Sequence, residues 1–599
     1  MKKLLVGMVL LTLSALGLAQ PSVSTEAYAP TAKQGGAIQE TIFGDFTTLN
    51  IVLTSNATEA AVLGMISGPT TVYRDWLGNR SYRKDDGTFN LAWAKSIEEV
   101  ALEQEYIITL NEGWKWSDGT EMTTADVEAA FKIYGDPAVE ANAYSCSVVG
   151  PEETPVELEI LGTYQYRIRL PEPQVNAIAN NDCANAGLIP AHIFMPVYEA
   201  SGAEGIKALW GIDTPVDQIV SGGPYLISEF RPGERIVLTK NPTYTEFNQA
   251  FDGSPLPGPD TWTITIVEDR NAELALCSTG QCSSYYPTTL DEVAAMQEAV
   301  TSGTIPGTFL PEIGPGSFTD FLFFNFNNTD ICKAGMFRNT SFRQAINFMI
   351  DRQALIDAAL GGLGVPGYDY NSEASAPFDA PALRDQPFEF SPEQGVELLA
   401  SIGFTEMGSD GVLTNPETGC RAEFDIQYNA GNTRRGQEAL VISQTAAEYG
   451  VKINPREVTV EVWGDAWGGT ALPRAHDFDA QIGALVGGDI DNPSGPNVLR
   501  IAANLNGWNK SKADAQPWEL LMDRLTVQMD KTLDLQERIN IYNERAEIMR
   551  EQLPLIPLVS PSFHFYYNMG NVWPVEAMDS NSIQSPYRPG GSRGELTAP

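Results

Sequence analysis

Trp114-Lys115-Trp116-Ser117-Asp118-Gly119-Thr120-Glu121-Met122-Thr123-Thr124-Ala125-Asp126-Val127 carries the densest set of structural instructions in the chain. Asp118-Gly119 is a turn pair, because glycine accepts the left-handed backbone that other residues resist. Thr123 with Asp126 three positions on is a helix start. The hydroxyl and the carboxylate each take an amide that the first helical turn leaves without a partner. The helix is predicted to run to about Tyr134, and residues 106–110 just upstream read as a strand. Strand, turn and helix in this order, repeated along the chain without a fixed period, give a mixed α/β protein and set solenoids and propellers aside.

The same grammar extends towards the carboxyl end. Residues 224–230 and 235–240 read as a hairpin across Pro232-Gly233, with Gly222-Gly223 supplying the bend before it. An apolar strand is expected over 321–327, then one helix over 341–360 that stops at Gly361-Gly362. Ser391, Pro392 and Gln394 mark another helix start with a capping box, closed by Gly403. A helix over 434–449, ended by Gly450, leads into a strand over 451–453, which is a helix-to-strand crossover. Asp534 with Glu537 opens the last long helix, which ends before Pro554, and residues 555–559 return as a strand.

At the amino end, Lys2 and Lys3 precede an uncharged apolar run over 4–18 that closes in Gly17-Leu18-Ala19. This is the layout of a cleavable signal peptide, with cleavage expected after Ala19. The run is short for a membrane span. No cysteine follows it, so no lipid attachment is expected and the mature protein should be free and soluble. No later stretch is apolar over membrane length, since even 553–559 is interrupted by Pro554 and Pro557. Removing 19 residues from 599 leaves 580, enough for two to four domains.

The chain has 77 acidic against 38 basic residues, a formal charge of −39, which makes nucleic acid and anionic lipid poor partners. Such acidity attracts cations, but solubility of an exported protein is its simpler consequence. Six cysteines, an even number in an exported chain, favour disulfides. Sequence neighbourhood suggests Cys146 with Cys183, Cys277 with Cys282 and Cys332 with Cys420. Zinc is not expected: there is no CxxC pair, and His192, His476 and His564 are far apart and read as ordinary polar or capping residues.

Three ordered blocks carry a resemblance. The tryptophan-serine-aspartate-glycine stretch at 114–127 is the first. Gly222-Gly223-Pro224-Tyr225 with Asn241-Pro242-Thr243-Tyr244 is the second, and Phe342-Arg343-Gln344-Ala345-Ile346 with Ile350-Asp351-Arg352 the third. Together they resemble the extracellular solute-binding proteins of the peptide-binding class, the receptors of ABC importers for oligopeptides, dipeptides and related solutes. The resemblance spans nearly the whole mature chain. It implies a two-lobed periplasmic binding-protein fold with two crossovers and the ligand cleft between lobes. Domain I would collect 20–55, 186–318 and 560–599, with domain II inserted at 56–185 and domain III at 319–559. It also implies a periplasmic, monomeric receptor that delivers its solute to permease subunits in the inner membrane, without a cofactor.

The resemblance further implies where a peptide is gripped. In such receptors an aspartate of domain III, after an apolar strand and before a proline, meets the ligand's amino terminus. With the strand over 480–486 and Pro493 as the marker, that role falls on Asp489, with Asp491 as competitor. Both also read as ordinary solvated loop carboxylates. The run Asp489-Ile490-Asp491-Asn492 lacks the glycine and distal glutamate of a calcium loop. Gly487 and Gly488 would let backbone approach the ligand closely. Closure needs on the order of 5 kcal/mol of differential affinity, which a few charge-assisted hydrogen bonds supply. The strand before Asp489 lacks the cysteine and arginine of the best-known oligopeptide receptors, so no anchor for the ligand's carboxylate is visible. Trp463 and Trp467 would wall the cleft, stack on sugar rings, or simply fill a core. An oligosaccharide is therefore the alternative solute, while metal or metal-chelate uptake is disfavoured by the few histidines.

A secreted hydrolase is the rival from another class. Gly590-Gly591-Ser592-Arg593-Gly594 matches GxSxG but sits in a proline- and glycine-rich tail without strand-turn-helix context. There is no HExxH and no P-loop. A carboxylate pair for glycoside hydrolysis would depend on the fold bringing two together. A chaperone or structural surface protein is a third reading, using the same cleft for unfolded segments.

Overall fold

The computed structural model describes residues 35–43, 45–54, 57–72, 82–83, 87–150, 152–245, 259–267, 269–316, 318–371, 377–459, 462–464, 478–486, 496–501, 503 and 506–568. The expected signal segment and its cleavage site, and the GxSxG string, lie outside these residues. Among the described residues no helix is long and apolar enough to cross a membrane.

Two large hydrophobic cores organise the chain. One draws on residues between Ile38 and Ile264, the other on residues between Phe321 and Val559. The first lies under two sheets. In one, Ala37–Phe43 pairs in parallel with Thr261–Val267, which continues antiparallel into Arg235–Lys240 and Tyr225–Arg231. In the other, Ala94–Ala101, Glu105–Leu110, Gln165–Arg169 and Glu157–Gly162 form an antiparallel meander-like sheet. The alternation of buried and half-buried residues along Glu105–Leu110 is what a sheet with one face on a core requires.

The 114–127 block joins these sheets. Gly119 takes a φ of 88°, as the turn demands. Trp116 is fully buried, and its indole N–H donates to the Asp126 carboxylate at 3.2 Å. The same carboxylate accepts the amides of Thr123 (2.8 Å) and Ala191 (2.9 Å), so one side chain both caps the Thr124–Tyr134 helix and ties it to the start of the Ala191–Ala208 helix. Burial pushes the Asp126 carboxyl up to about 6. Gly222 and Gly223 serve by their smallness: a Cβ on Gly222 would meet Trp116 and the Gly68 backbone, and one on Gly223 would collide with the carbonyl oxygens of Met65 and Ser67.

The second core lies under a five-stranded sheet in the order Lys452–Val458, Glu423–Asn429, Ala480–Val486, Phe318–Phe324, Leu555–Pro557. The helix expected over 341–360 is two helices, Thr340–Phe348 and Arg352–Leu360. Asp351 breaks the run by turning its carboxylate to the Ala354 amide at 3.0 Å as an N-cap. Ser391 precedes Pro392–Ser401 without a side-chain cap bond, so the expected capping box is not formed. Asp534 does cap Leu535–Gln552, accepting the Glu537 amide at 2.8 Å.

Two strands leave one body and enter the other. Thr308–Pro315 pairs antiparallel with Val559–Tyr567, and the chain then continues into Phe318–Phe324, which pairs with Leu555–Pro557. At the crossing the Gly316 amide donates to the Pro561 carbonyl at 2.7 Å, and the Leu558 amide to the Asp320 carbonyl at 2.7 Å. The Thr319 and Ser560 hydroxyls lie 2.8 Å apart. Disulfides join Cys146 to Cys183, Cys277 to Cys282 and Cys332 to Cys420.

Backbone collision at Gly223 predicts that Gly223→Ala costs about 3 kcal/mol in denaturant unfolding. Gly64→Ala, at a helix end where a Cβ meets nothing within 4 Å, should stabilise by about 0.5 kcal/mol. A second test concerns Asp369, buried in the second body beside the Tyr542 hydroxyl and accepting the Tyr370 amide. Burial pushes its carboxyl from 3.8 up to about 7. The unfolded chain therefore releases this proton first. The stability it contributes is full below about 3.8 and is lost as pH rises through about 7. In Asp369→Asn that titration is gone, so the thermal midpoint should fall less steeply than the parent's over this range.

Candidate functional site

Within the five-stranded sheet, Glu423–Asn429 runs parallel to both Lys452–Val458 and Ala480–Val486, so these three strands end at one edge. Phe318 is paired with Val486, which brings the incoming crossover strand to the same edge. In open α/β sheets ligands bind outside the carboxyl ends of parallel strands, where loops diverge and backbone amides are left for a guest. The described part of the third strand ends at Val486 on this edge.

A buried charge network lies at the same edge. Asp320, fully buried two residues into the crossover strand, faces the first turn of the Thr433–Glu448 helix. Its carboxylate is 2.8 Å from Arg434 Nη2 and 3.2 Å from Arg435 Nε. Arg435 Nη1 also donates to Asn429 Oδ1 at 2.8 Å, at the end of its strand. The Arg434 guanidinium lies over Phe318 and that of Arg435 over Trp463, at 5.1 and 4.9 Å from the ring centres. Two cations in a first turn oppose the helix dipole. Asp320 offsets them, and Glu438 stands 3.6 Å from Arg434 Nε. Burial, with the Asp320 charge beside it, pushes the Glu438 carboxyl well above the usual range. The network fixes the crossover strand to the helix at the edge where the parallel strands end.

Trp463 belongs to this frame. Its indole N–H donates to the Ile482 carbonyl at 2.9 Å, and its ring packs against the second core as well as over Arg435. Asp489, Asp491, Gly487, Gly488 and Trp467 lie outside the described residues. The structure carries the strand to Val486, immediately before Gly487. Asp320, Arg434 and Arg435 escaped the sequence reading. Their signal was an arginine pair in a first turn that has no acid of its own.

The two described histidines have separate partners. His192 Nε2 is 2.6 Å from Asp118 Oδ2, and His564 Nδ1 accepts the Glu312 amide at 3.0 Å. His476 lies outside the described residues. Among the described residues no group of three or more His, Cys, Asp or Glu is placed to hold a metal ion.

Removing the Asp320 charge leaves two buried guanidinium groups facing each other. Asp320→Asn should therefore cost about 3–5 kcal/mol in urea unfolding, far more than the loss of a surface ion pair. A cost below about 1 kcal/mol would show that the arginines are balanced elsewhere.

The family model for bacterial extracellular solute-binding proteins, family 5, matches residues 88–507. The chain is 31% identical over 546 residues to a probable ABC transporter-binding protein of Deinococcus radiodurans, covering 89% of this chain and 88% of that one. It is 24% identical over 399 residues to the oligopeptide-binding protein AppA of Bacillus subtilis, covering 65% and 64%. Among solved structures, AppA from Bacillus subtilis in complex with a nonapeptide superposes with a TM-score of 0.72 at 20% identity, over 91% of this chain and 97% of that one. The periplasmic binding protein MelB from Agrobacterium fabrum in complex with stachyose gives 0.76 at 18% identity, over 95% and 86%.

Proposed function

This chain belongs to the bacterial extracellular solute-binding proteins of family 5, substrate-binding receptors of ABC importers, and we propose that the solute it captures is a peptide. The observation that carries this reading is the shared edge of three parallel strands ending at Asn429, Val458 and Val486, beside a two-strand crossing between separate cores. A solute held there would touch both bodies only when they close, and those added contacts favour closure. The oligopeptide-binding relative supports a peptide as the guest.

In this reading domain I comprises 20–55, 186–318 and 560–599, domain II is 56–185 and domain III is 319–559. Asp489 takes the ligand's amino group, with Asp491 beside it, and Gly487 and Gly488 leave room for main-chain hydrogen bonds that read length and termini. Trp467 lines the cleft, and Trp463 holds the strand behind it. The receptor acts without catalysis, as a periplasmic monomer released by cleavage after Ala19, and passes its peptide to permease subunits. An oligosaccharide is the second reading, supported by the stachyose-bound relative.

Native mass spectrometry of gently purified protein should show discrete bound peptides. Asp489→Ala should weaken a free-amine peptide about 10- to 100-fold by calorimetry, the loss expected for a charge-assisted hydrogen bond in a dry site. Unchanged affinity sinks the anchor assignment, and a bound sugar in the native spectrum sinks the peptide reading.

A further inference from the structure

Outside the crossing ribbon, a second contact joins the two bodies. Past the Gln165–Arg169 strand, Pro171-Glu172-Pro173 sets a glutamate between two residues of fixed φ. The loop is tied to its own body. The Leu170 amide donates to the Gln104 carbonyl and the Gln174 amide to the Glu103 carbonyl, both at 2.9 Å, and the Ala177 amide donates to the Glu103 carboxylate at 3.0 Å. Glu103 is in turn held by Arg83 at 2.8 Å. Asn176 takes a left-handed φ of 55° to complete the loop.

The tip of this stiff loop reaches the other body. Glu172 Oε1 is 2.5 Å from Lys531 Nζ, and the Val175 amide donates to the Asp530 carbonyl at 2.7 Å. Asp530 and Lys531 end the Pro517–Lys531 helix, whose last carbonyls have no partner within the helix. Thr532 serves two of them, its hydroxyl donating to Gln528 at 2.8 Å and its amide to Met529 at 3.3 Å. The Asp530 carbonyl is served from the other core. Lys531 suits the negative end of the helix, and Glu172 meets it there.

We propose that loop 172–175 is a latch, which favours the closed state of the ligand-free receptor through Glu172 and Val175 and so sets how long a captured solute is retained. This rests on the two-lobe receptor reading. A rotation about the ribbon separates groups lying off its axis, so opening must break both contacts. Because the loop is ordered by its own body, docking it sacrifices little conformational freedom.

The test is a charge swap followed without ligand. Glu172→Lys and Lys531→Glu should each enlarge the radius of gyration of the full-length ligand-free protein in small-angle scattering and speed hydrogen exchange at Val175. The double variant should return both towards the parent, and high salt should shrink the difference between parent and single variants. The Lys531 and Glu172 side chains are 34% and 40% exposed, so folding should survive, which unfolding midpoints would verify. Once a bound solute is identified, its dissociation should be about 2- to 5-fold faster in each single variant. Single variants as compact as the parent, or a double variant no closer to it than either single one, would overturn the latch. A protein that binds no solute in any form but keeps the charge-swap pattern would instead overturn the receptor reading alone.

Discussion

The chain can cross between its two cores only by paying out backbone that stays hydrogen-bonded, and the pairing of Thr308–Pro315 with Val559–Tyr567 meets that demand. A single strand would swivel, and a broad sheet would fuse the bodies into one. Two paired strands leave a narrow ribbon; its ladder shifts register between Leu310 and Gly314, where the His564 ring accepts the Glu312 amide. The crossing is held without large side chains: the Gly316 amide on Pro561, the Leu558 amide on Asp320 and a threonine–serine hydroxyl pair. On one side both strands continue into the second core, where Phe318–Phe324 pairs with Leu555–Pro557.

Asp320 links this crossing to the edge where the parallel strands end. Its backbone carbonyl belongs to the ribbon, while its carboxylate holds Arg434 and Arg435 on the helix that follows the Glu423–Asn429 strand. The same residue therefore belongs both to the crossing between bodies and to the charge network on the Thr433–Glu448 helix. Buried charges of this kind add little net stability over apolar packing, but they are intolerant of rearrangement, because any one left alone in the interior is costly. That intolerance is what a loop frame needs if ligand groups are to meet fixed positions.

Local signals made much of the fold legible. Thr123 with Asp126, Asp534 with Glu537, and the Pro232-Gly233 hairpin depend on residues a few positions apart, and the structure forms all three. The single helix expected over 341–360 is split at Asp351 because a carboxylate in mid-run can serve as a cap, a choice that apolar periodicity does not record. Gly222 and Gly223 were legible as punctuation but not as contacts. Their neighbours Met65, Gly68 and Trp116 are distant in sequence. The Asp320 network was missed for the same reason, since it joins residues more than a hundred positions apart. Gly487, Gly488, Asp489 and Asp491 were singled out by resemblance alone, because a short run of glycines and carboxylates carries no periodicity of its own.

The order of the disulfides has a consequence for how the chain matures. Cys146–Cys183, Cys277–Cys282 and Cys332–Cys420 each join cysteines that are neighbours in the cysteine order of the chain. A polypeptide that enters an oxidising compartment amino end first, and is oxidised as its thiols arrive, forms the native set by pairing each newcomer with the one still waiting. No bridge has to be broken and remade, and no early cysteine has to wait for the far end of the chain. The covalent framework can thus be complete within each body before the last strand returns to close the ribbon.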